Sequence, residues 1–187
     1  SNASAMLSAF DAPSMLRSAP ARKPDFLPDV ITAPLISSLL ISSSVKALKS
    51  AAARIPIVCP LHPRTRKSLE THGLLDDFLS AEGVHVSEPI NYIRFMGLVR
   101  EAALVITDSG GIQEETTYLN IPCITLRENT ERPITITEGT NKLARIPDLP
   151  GYVGDILNGR WPAGRKPELW DGKTADRIIS DLARRFG

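Results

Sequence analysis

Residues 104–143 read LVITDSGGIQEETTYLNIPCITLRENTERPITITEGTNKL, and the order of residue types in them decides the fold. Leu104 to Thr107 make a short apolar strand, which breaks at Asp108-Ser109-Gly110-Gly111. The spacing then predicts a helix over 112–119 and a second strand over 122–126. A strand feeding a glycine turn that opens a helix is how α/β proteins build an anion site, because the free N–H groups and positive dipole end of the helix point at the ligand. Ser109 adds a hydroxyl donor, and Gly110 and Gly111 let ligand oxygens come close to the backbone. One turn on, Glu114 and Glu115 supply carboxylates, and a carboxylate behind a phosphate cradle suits the two hydroxyls of a ribose. The same residues also read as a plain helix capped by Asp108 or Ser109, with Gly-Gly as its turn. The stretch alone leaves both readings open.

Outward from it, the chain keeps one rhythm. A helix is expected over 35–53, a strand over 55–61, a helix over 65–72 closed by Gly73, and a strand over 84–87. Asn91 is placed to cap a helix running to Ala102, with Tyr92, Phe95, Met96 and Val99 on its apolar face. A strand is expected over 140–144. Pro147 to Gly172 is rich in proline and glycine and predicts loop with a short helix over 152–158. Residues 173–186 predict an amphipathic helix with Ile178, Ile179, Leu182 and Phe186 as its stripe. Strands alternating with helices over short connections imply an α/β fold, a Rossmann-like parallel sheet with helices on both faces.

The 187 residues suit one domain with a sizeable core. Residues 1–29 hold Pro13, Pro20, Pro24 and Pro28 without a sustained period and read as an irregular arm, begun by Ser1-Asn2-Ala3, which has the look of a cloning remnant. The domain then runs over 30–187. A formal net charge of +1 gives no reason to expect nucleic acid or an anionic membrane as partner. The serines and lysines of 35–53 argue against a membrane span, which needs about 20 mostly apolar residues. Cys59 and Cys123 sit in apolar strand-like runs and read as buried thiols of a cytoplasmic protein, not as a disulfide or metal pair. No metal or cofactor is expected.

DSGGIQEE, followed by IPCITLRENTERP and EGTNKL, resembles the signature of the non-hydrolysing UDP-N-acetylglucosamine 2-epimerases, in order and spacing, over about forty residues. WDGKTADRI resembles that family's carboxy-terminal tail, whose last helix often crosses towards the other domain. The resemblance implies the carboxy-terminal, UDP-binding domain, one half of a glycosyltransferase-B type arrangement with the nucleotide sugar between two Rossmann-like domains. It implies UDP or UDP-N-acetylglucosamine as ligand. Self-association into a homodimer is left open.

Carried over residue by residue, the resemblance assigns Ser109, Gly110 and Gly111 to the diphosphate and Glu115 to the ribose. Glu114 would face elsewhere, since adjacent helical positions diverge by about 100°. Phe95 matches a position at which an aromatic ring lies beside the uracil; it also reads as a core phenylalanine. Arg132 matches an arginine turned towards the cleft; it also reads as a surface residue paired with Glu131 or Glu128. His62, in the HPR run after a strand, matches a functional histidine near the phosphates and is the candidate catalytic residue; it also reads as a surface histidine. Gln113 reads as a capping polar group, and Thr130 and Glu131 stay unassigned. Two departures stand out. Where the family has a phosphate-facing Thr-x-His-Arg type run, this chain has DVITAPLISSLL. The acidic groups that move the C2 proton belong to the family's amino-terminal domain, so residues 1–29 leave room for a vestige of it at most. The expected function is therefore the UDP-binding part of an epimerase, inactive alone. The alternatives are a non-catalytic nucleotide-sugar binding module and a UDP-sugar glycosyltransferase domain.

Overall fold

Ile57–Pro60 and Leu104–Thr107 are buried at every residue, as strands are when both faces of a parallel sheet are covered. The computed structural model, which describes residues 31–32 and 41–186, joins them in such a sheet. In chain order the elements are β1 (Ile31–Thr32), α1 (Ile41–Ala52), β2 (Ile57–Pro60), α2 (Pro63–Thr71), α3 (Leu75–Leu79), β3 (Val84–Ser87), α4 (Tyr92–Glu101) and β4 (Leu104–Thr107). They continue with α5 (Gly110–Leu119), β5 (Cys123–Thr125), α6 (Ile134–Thr137), β6 (Asn141–Leu143), a 3-10 turn (Ile146–Asp148), α7 (Leu149–Leu157) and α8 (Thr174–Phe186). The strand order is β3-β2-β1-β4-β5-β6, parallel throughout. This is the Rossmann order, and it reverses direction between β1 and β4, where a crevice opens at the carboxyl ends of the strands. Ile31 pairs with Ile57 on one side and Leu104 on the other, so a two-residue β1 joins the halves of the sheet.

Alternation along the strands sorts the core into two layers. Leu104 and Ile106 belong with Val45 and Leu48 of α1 and Leu149 and Val153 of α7. Val105, between them in sequence, belongs with Val99 and Ala102 at the end of α4, against which Ile112 and Leu119 of α5 pack. Each fully buried Leu, Ile or Val contributes about 2 kcal/mol of burial, so the alternation fixes which helix covers which face.

The local signals act as the sequence suggests at several ends. Asn91 Oδ1 accepts the Arg94 N–H at 3.0 Å and caps α4. Gly73, at φ 65°, takes the left-handed turn that ends α2, and the Leu74 N–H reaches back to the Leu69 carbonyl at 2.9 Å.

Other expectations are corrected. The helix after β4 begins at Gly110, because both glycines enter its first turn behind the N-cap Ser109. α3 was not expected; five residues are too few for a helical period to show. Tyr92 is not on the apolar face of α4 but 60% exposed, as the first residue after the cap. The final helix forms over Thr174–Phe186, yet Ile178, Ile179, Leu182 and Phe186 are 54, 65, 50 and 82% exposed. They line no core within the described residues. The expectations for residues 1–29 and for most of DVITAPLISSLL lie outside the described residues. No helix among the described residues is long and apolar enough to cross a membrane.

Candidate functional site

β4 delivers the chain to the switch point, and α5 starts there. The first N–H groups of a helix have no acceptor within it, and the Ser109 hydroxyl caps none of them. Instead the Ser109 N–H is held by Thr107 Oγ1 at 3.0 Å, which fixes the approach to the turn. A side chain at Gly111 would meet nothing within 4 Å. The space above the second residue of α5 is open, and its backbone can be approached closely.

Arg132 borders this turn. A Cβ placed on Gly110 would lie 3.9 Å from Arg132 Cζ and 3.9 Å from Glu131 Oε2. Arg132 does not pair with Glu131 or Glu128; its Nε lies 2.9 Å from Glu114 Oε1. Glu114 thus turns to Arg132, brought to it by the loop after β5, whereas Glu115 meets Tyr92. Glu131 takes two nitrogens of Arg127, at 3.1 and 3.2 Å. Its own backbone N–H and Arg127 hold the Glu131 carboxyl below the usual range. Two arginines and two glutamates thus flank the turn as ion pairs.

Glu115 sits one turn along α5. Its Oε1 accepts the Tyr92 hydroxyl at 2.6 Å, and this hydrogen bond is the main cause of a raised tyrosine pKa. A carboxylate has about four acceptor positions, so this one keeps capacity for two more donors. Phe95, one turn beyond Tyr92, is half-buried against the Val99 cluster. Its ring is thus partly in the core, and Tyr92, one turn earlier, is 60% exposed. His62 caps α2 at the end of β2, with Nδ1 accepting the Arg64 N–H at 3.2 Å. In the neutral ring this leaves the proton on Nε2, a donor directed elsewhere. It lies on the same carboxyl edge of the sheet, but β1 separates β2 from β4.

Beyond the ends of β4, β5 and β6 a cleft of 630 Å³ opens, lined by Ser43, Lys46, Asp108, Arg127, Glu128 and Arg145 among others. Burial raises the Asp108 pKa, against the pull of its own backbone N–H and Arg127. Among the described residues no His, Cys, Asp and Glu side chains gather in threes as metal ligands would. Cys59 and Cys123 are buried and not in a disulfide, and burial pushes their pKa values up to about 12 and about 11.

Sequence reasoning missed the polar core behind the turn. Gln113 is not a capping group: it is fully buried, and its Oε1 accepts the Thr130 hydroxyl at 2.6 Å and Asn141 Nδ2 at 3.2 Å. Nor was the Tyr92–Glu115 pair foreseen, since the two residues lie on different helices.

The family model described as UDP-N-acetylglucosamine 2-epimerase matches residues 38–183. A UDP-N-acetylglucosamine 2-epimerase of Methanocaldococcus jannaschii is 47% identical over 130 residues, covering 67% of this chain and 34% of that protein. One from Methanococcus maripaludis is 50% identical over 88 residues, covering 47% of this chain and 24% of that protein. The crystal structure of the M. jannaschii enzyme in complex with UDP-GlcNAc and UDP superposes with a TM-score of 0.72 at 28% identity, over 98% of this chain and 48% of that one. The chain therefore spans 34% and 24% of these two curated relatives and about half of the solved one. With most of its length under one family model, and with the Rossmann sheet and glycine turn in place, the chain belongs to the UDP-N-acetylglucosamine 2-epimerase family.

Proposed function

We propose that this chain is the UDP-binding part of a UDP-N-acetylglucosamine 2-epimerase. The diphosphate sits on the first turn of α5 and the ribose on Glu115. The observation that carries the proposal is the open approach over Gly111, beside a serine hydroxyl that caps nothing and with Arg132 at the rim. In the reaction of the whole protein, a base takes the proton from C2 while the C1–O bond breaks and its electron pair leaves with UDP. UDP then adds back to the resulting glycal, and the proton returns on the other face. Acid–base groups for C2 are assigned to the part of the enzyme that this chain does not span. Its own share is the leaving group: helix N–H groups, the Ser109 hydroxyl and Arg132 stabilise the charge that grows on the diphosphate. His62, whose Nδ1 accepts the Arg64 N–H, lies on the same edge with Nε2 left for the ligand.

The test is a UDP titration followed by NMR. Amide signals of Ser109, Gly110, Gly111 and Ile112 are expected to move first, and shifts confined to other elements would remove the assignment. Glu115→Ala is expected to weaken UDP binding by about 2 kcal/mol, as loss of charge-assisted hydrogen bonds does. It should weaken 2′-deoxy-UDP much less. Equal losses for the two nucleotides would show that Glu115 does not hold the ribose.

A further inference from the structure

The buried polar side chains behind the glycine turn form a closed circuit around one residue of the rim. The Arg132 N–H donates to Thr130 Oγ1 at 3.0 Å, and that hydroxyl donates onward to Gln113 Oε1 at 2.6 Å. Asn141 Nδ2 donates to the same Gln113 oxygen at 3.2 Å and to Thr135 Oγ1 at 3.1 Å. The Thr135 hydroxyl donates to the Arg132 carbonyl at 2.7 Å, closing the ring on the residue where it began. Thr125 Oγ1 donates to Asn141 Oδ1 at 2.6 Å, which dictates that the amide nitrogen of Asn141 faces the other two partners. Gln113, Thr125 and Thr135 are fully buried and Asn141 is 2% exposed. The partners come from α5, the loop after β5, α6 and β6. Each hydroxyl has one hydrogen, and each both gives and receives, so the directions agree around the circuit.

A circuit of this kind is an unusual way to hold a surface loop. Buried side-chain amides are unfavourable unless fully paired, and Gln113 Nε2 has no partner here. Apolar residues would anchor the loop as well. The Arg132 carbonyl also accepts the Thr135 backbone N–H at 3.0 Å, and what the circuit adds is a directional side-chain hydrogen bond at each backbone group of that one residue. The Arg132 guanidinium lies against Gly110 and beside Glu114.

We propose that Gln113, Thr130, Thr135 and Asn141 are positioning residues that clamp the Arg132 backbone, so that its guanidinium is already aimed at the anion on the first turn of α5. The proposal rests on the nucleotide reading above and adds to it which residues make the arginine effective. An arginine side chain has many rotamers, and ordering it on binding costs affinity. A clamped backbone and a carboxylate partner leave less to order.

The experiment has two arms. Amide hydrogen exchange, without ligand, reads the clamp itself. The Arg132 N–H is expected to be protected in the wild type and to exchange at least about tenfold faster in Thr130→Val, with core amides of β4 unchanged. An Arg132 amide that exchanges at the rate of an open loop in the wild type would overturn the clamp without recourse to any variant. The second arm is a double-mutant cycle read by UDP titration. Thr130→Val is expected to weaken UDP about tenfold, to have no further effect in an Arg132→Gln background, and to be rescued to within about twofold by Thr130→Ser. Equal losses in both backgrounds, or no rescue by serine, would show that Thr130 acts on general stability and not through Arg132. A wild-type chain that takes up no UDP overturns the nucleotide reading and the purpose given to the clamp, while the exchange arm still decides whether the clamp exists.

Discussion

Gly111→Val is expected to abolish UDP binding, a loss of at least about 30-fold, or some 2 kcal/mol, while leaving the protein as stable as before. The two halves of this expectation come from the same observation. A Cβ at Gly111 would meet nothing within 4 Å, so a valine is expected to be accommodated there. Glycine is the poorer helix former, and in the first turn of α5 the exchange changes propensity by a few tenths of a kcal/mol in valine's favour. The open space is, however, the approach by which phosphate oxygens would reach the N–H groups of residues 110–112. Two methyl groups fill it, and they are apolar where the ligand brings charge. Thermal or urea unfolding checks the first half and a UDP titration the second. A variant that unfolds early would mean that the space is occupied in solution. A stable variant that still binds UDP at wild-type strength would mean that the diphosphate does not use this turn.

Gly139→Ala is expected to be the opposite case, a methyl group that the fold cannot accept. A Cβ there would lie 2.4 Å from Thr117 Oγ1, 2.6 Å from Thr117 Cγ2 and 2.5 Å from the Thr135 carbonyl oxygen. The threonine is itself buried, and the carbonyl belongs to the backbone of α6. Gly164 crosses the same spot, since its own Cβ would lie 2.7 Å from the Gly139 carbonyl carbon. Overpacking of this kind costs about 3 kcal/mol, which lowers Tm by on the order of 10 °C in a domain of this size. Thr117→Ala removes two of the three clashing atoms. Its buried hydroxyl lacks a hydrogen-bond partner, so its loss should cost little by itself and should restore part of the stability in the double variant. Urea unfolding of both single variants and the double one checks this. Additive losses would show that the clash is not with Thr117.

These two glycines illustrate how far the sequence carries. Gly110 and Gly111 announce themselves, because they stand between a strand and a helical period with a serine in front. Asn91 and Gly73 are legible for the same reason: a cap or a left-handed turn is a local event between neighbours. The strand order is not local, but alternation of short strands with helices admits few sheets, and this is one of them. Gly139 carries no such mark, since its neighbour Thr117 is brought to it by the fold. Gln113 misleads more directly. In a helical stretch followed by Glu114 and Glu115 a glutamine reads as surface, yet its partners Thr130 and Asn141 lie 17 and 28 residues away. The apolar stripe of α8 is legible as a period, and its exposure is not. Periodicity tells which residues share a face, not whether anything within the same chain covers it.

The two-residue strand at the centre of the sheet has a consequence for how the molecule opens. β2 and β3 on one side, and β4, β5 and β6 on the other, each pair along three or four residues, whereas among the described residues β1 joins the two groups through Ile31 and Thr32. One core layer runs under both groups, yet so short a join is expected to let them open as two panels, each with its own free energy. A thiol lies in each panel: Cys59 on β2 and Cys123 on β5. With pKa values of about 12 and about 11 neither presents thiolate to a reagent at neutral pH unless its panel opens. Alkylation at low denaturant should therefore follow two rates, one per cysteine, that merge only as the whole chain unfolds. A single shared rate under all conditions would mean that the sheet opens as one.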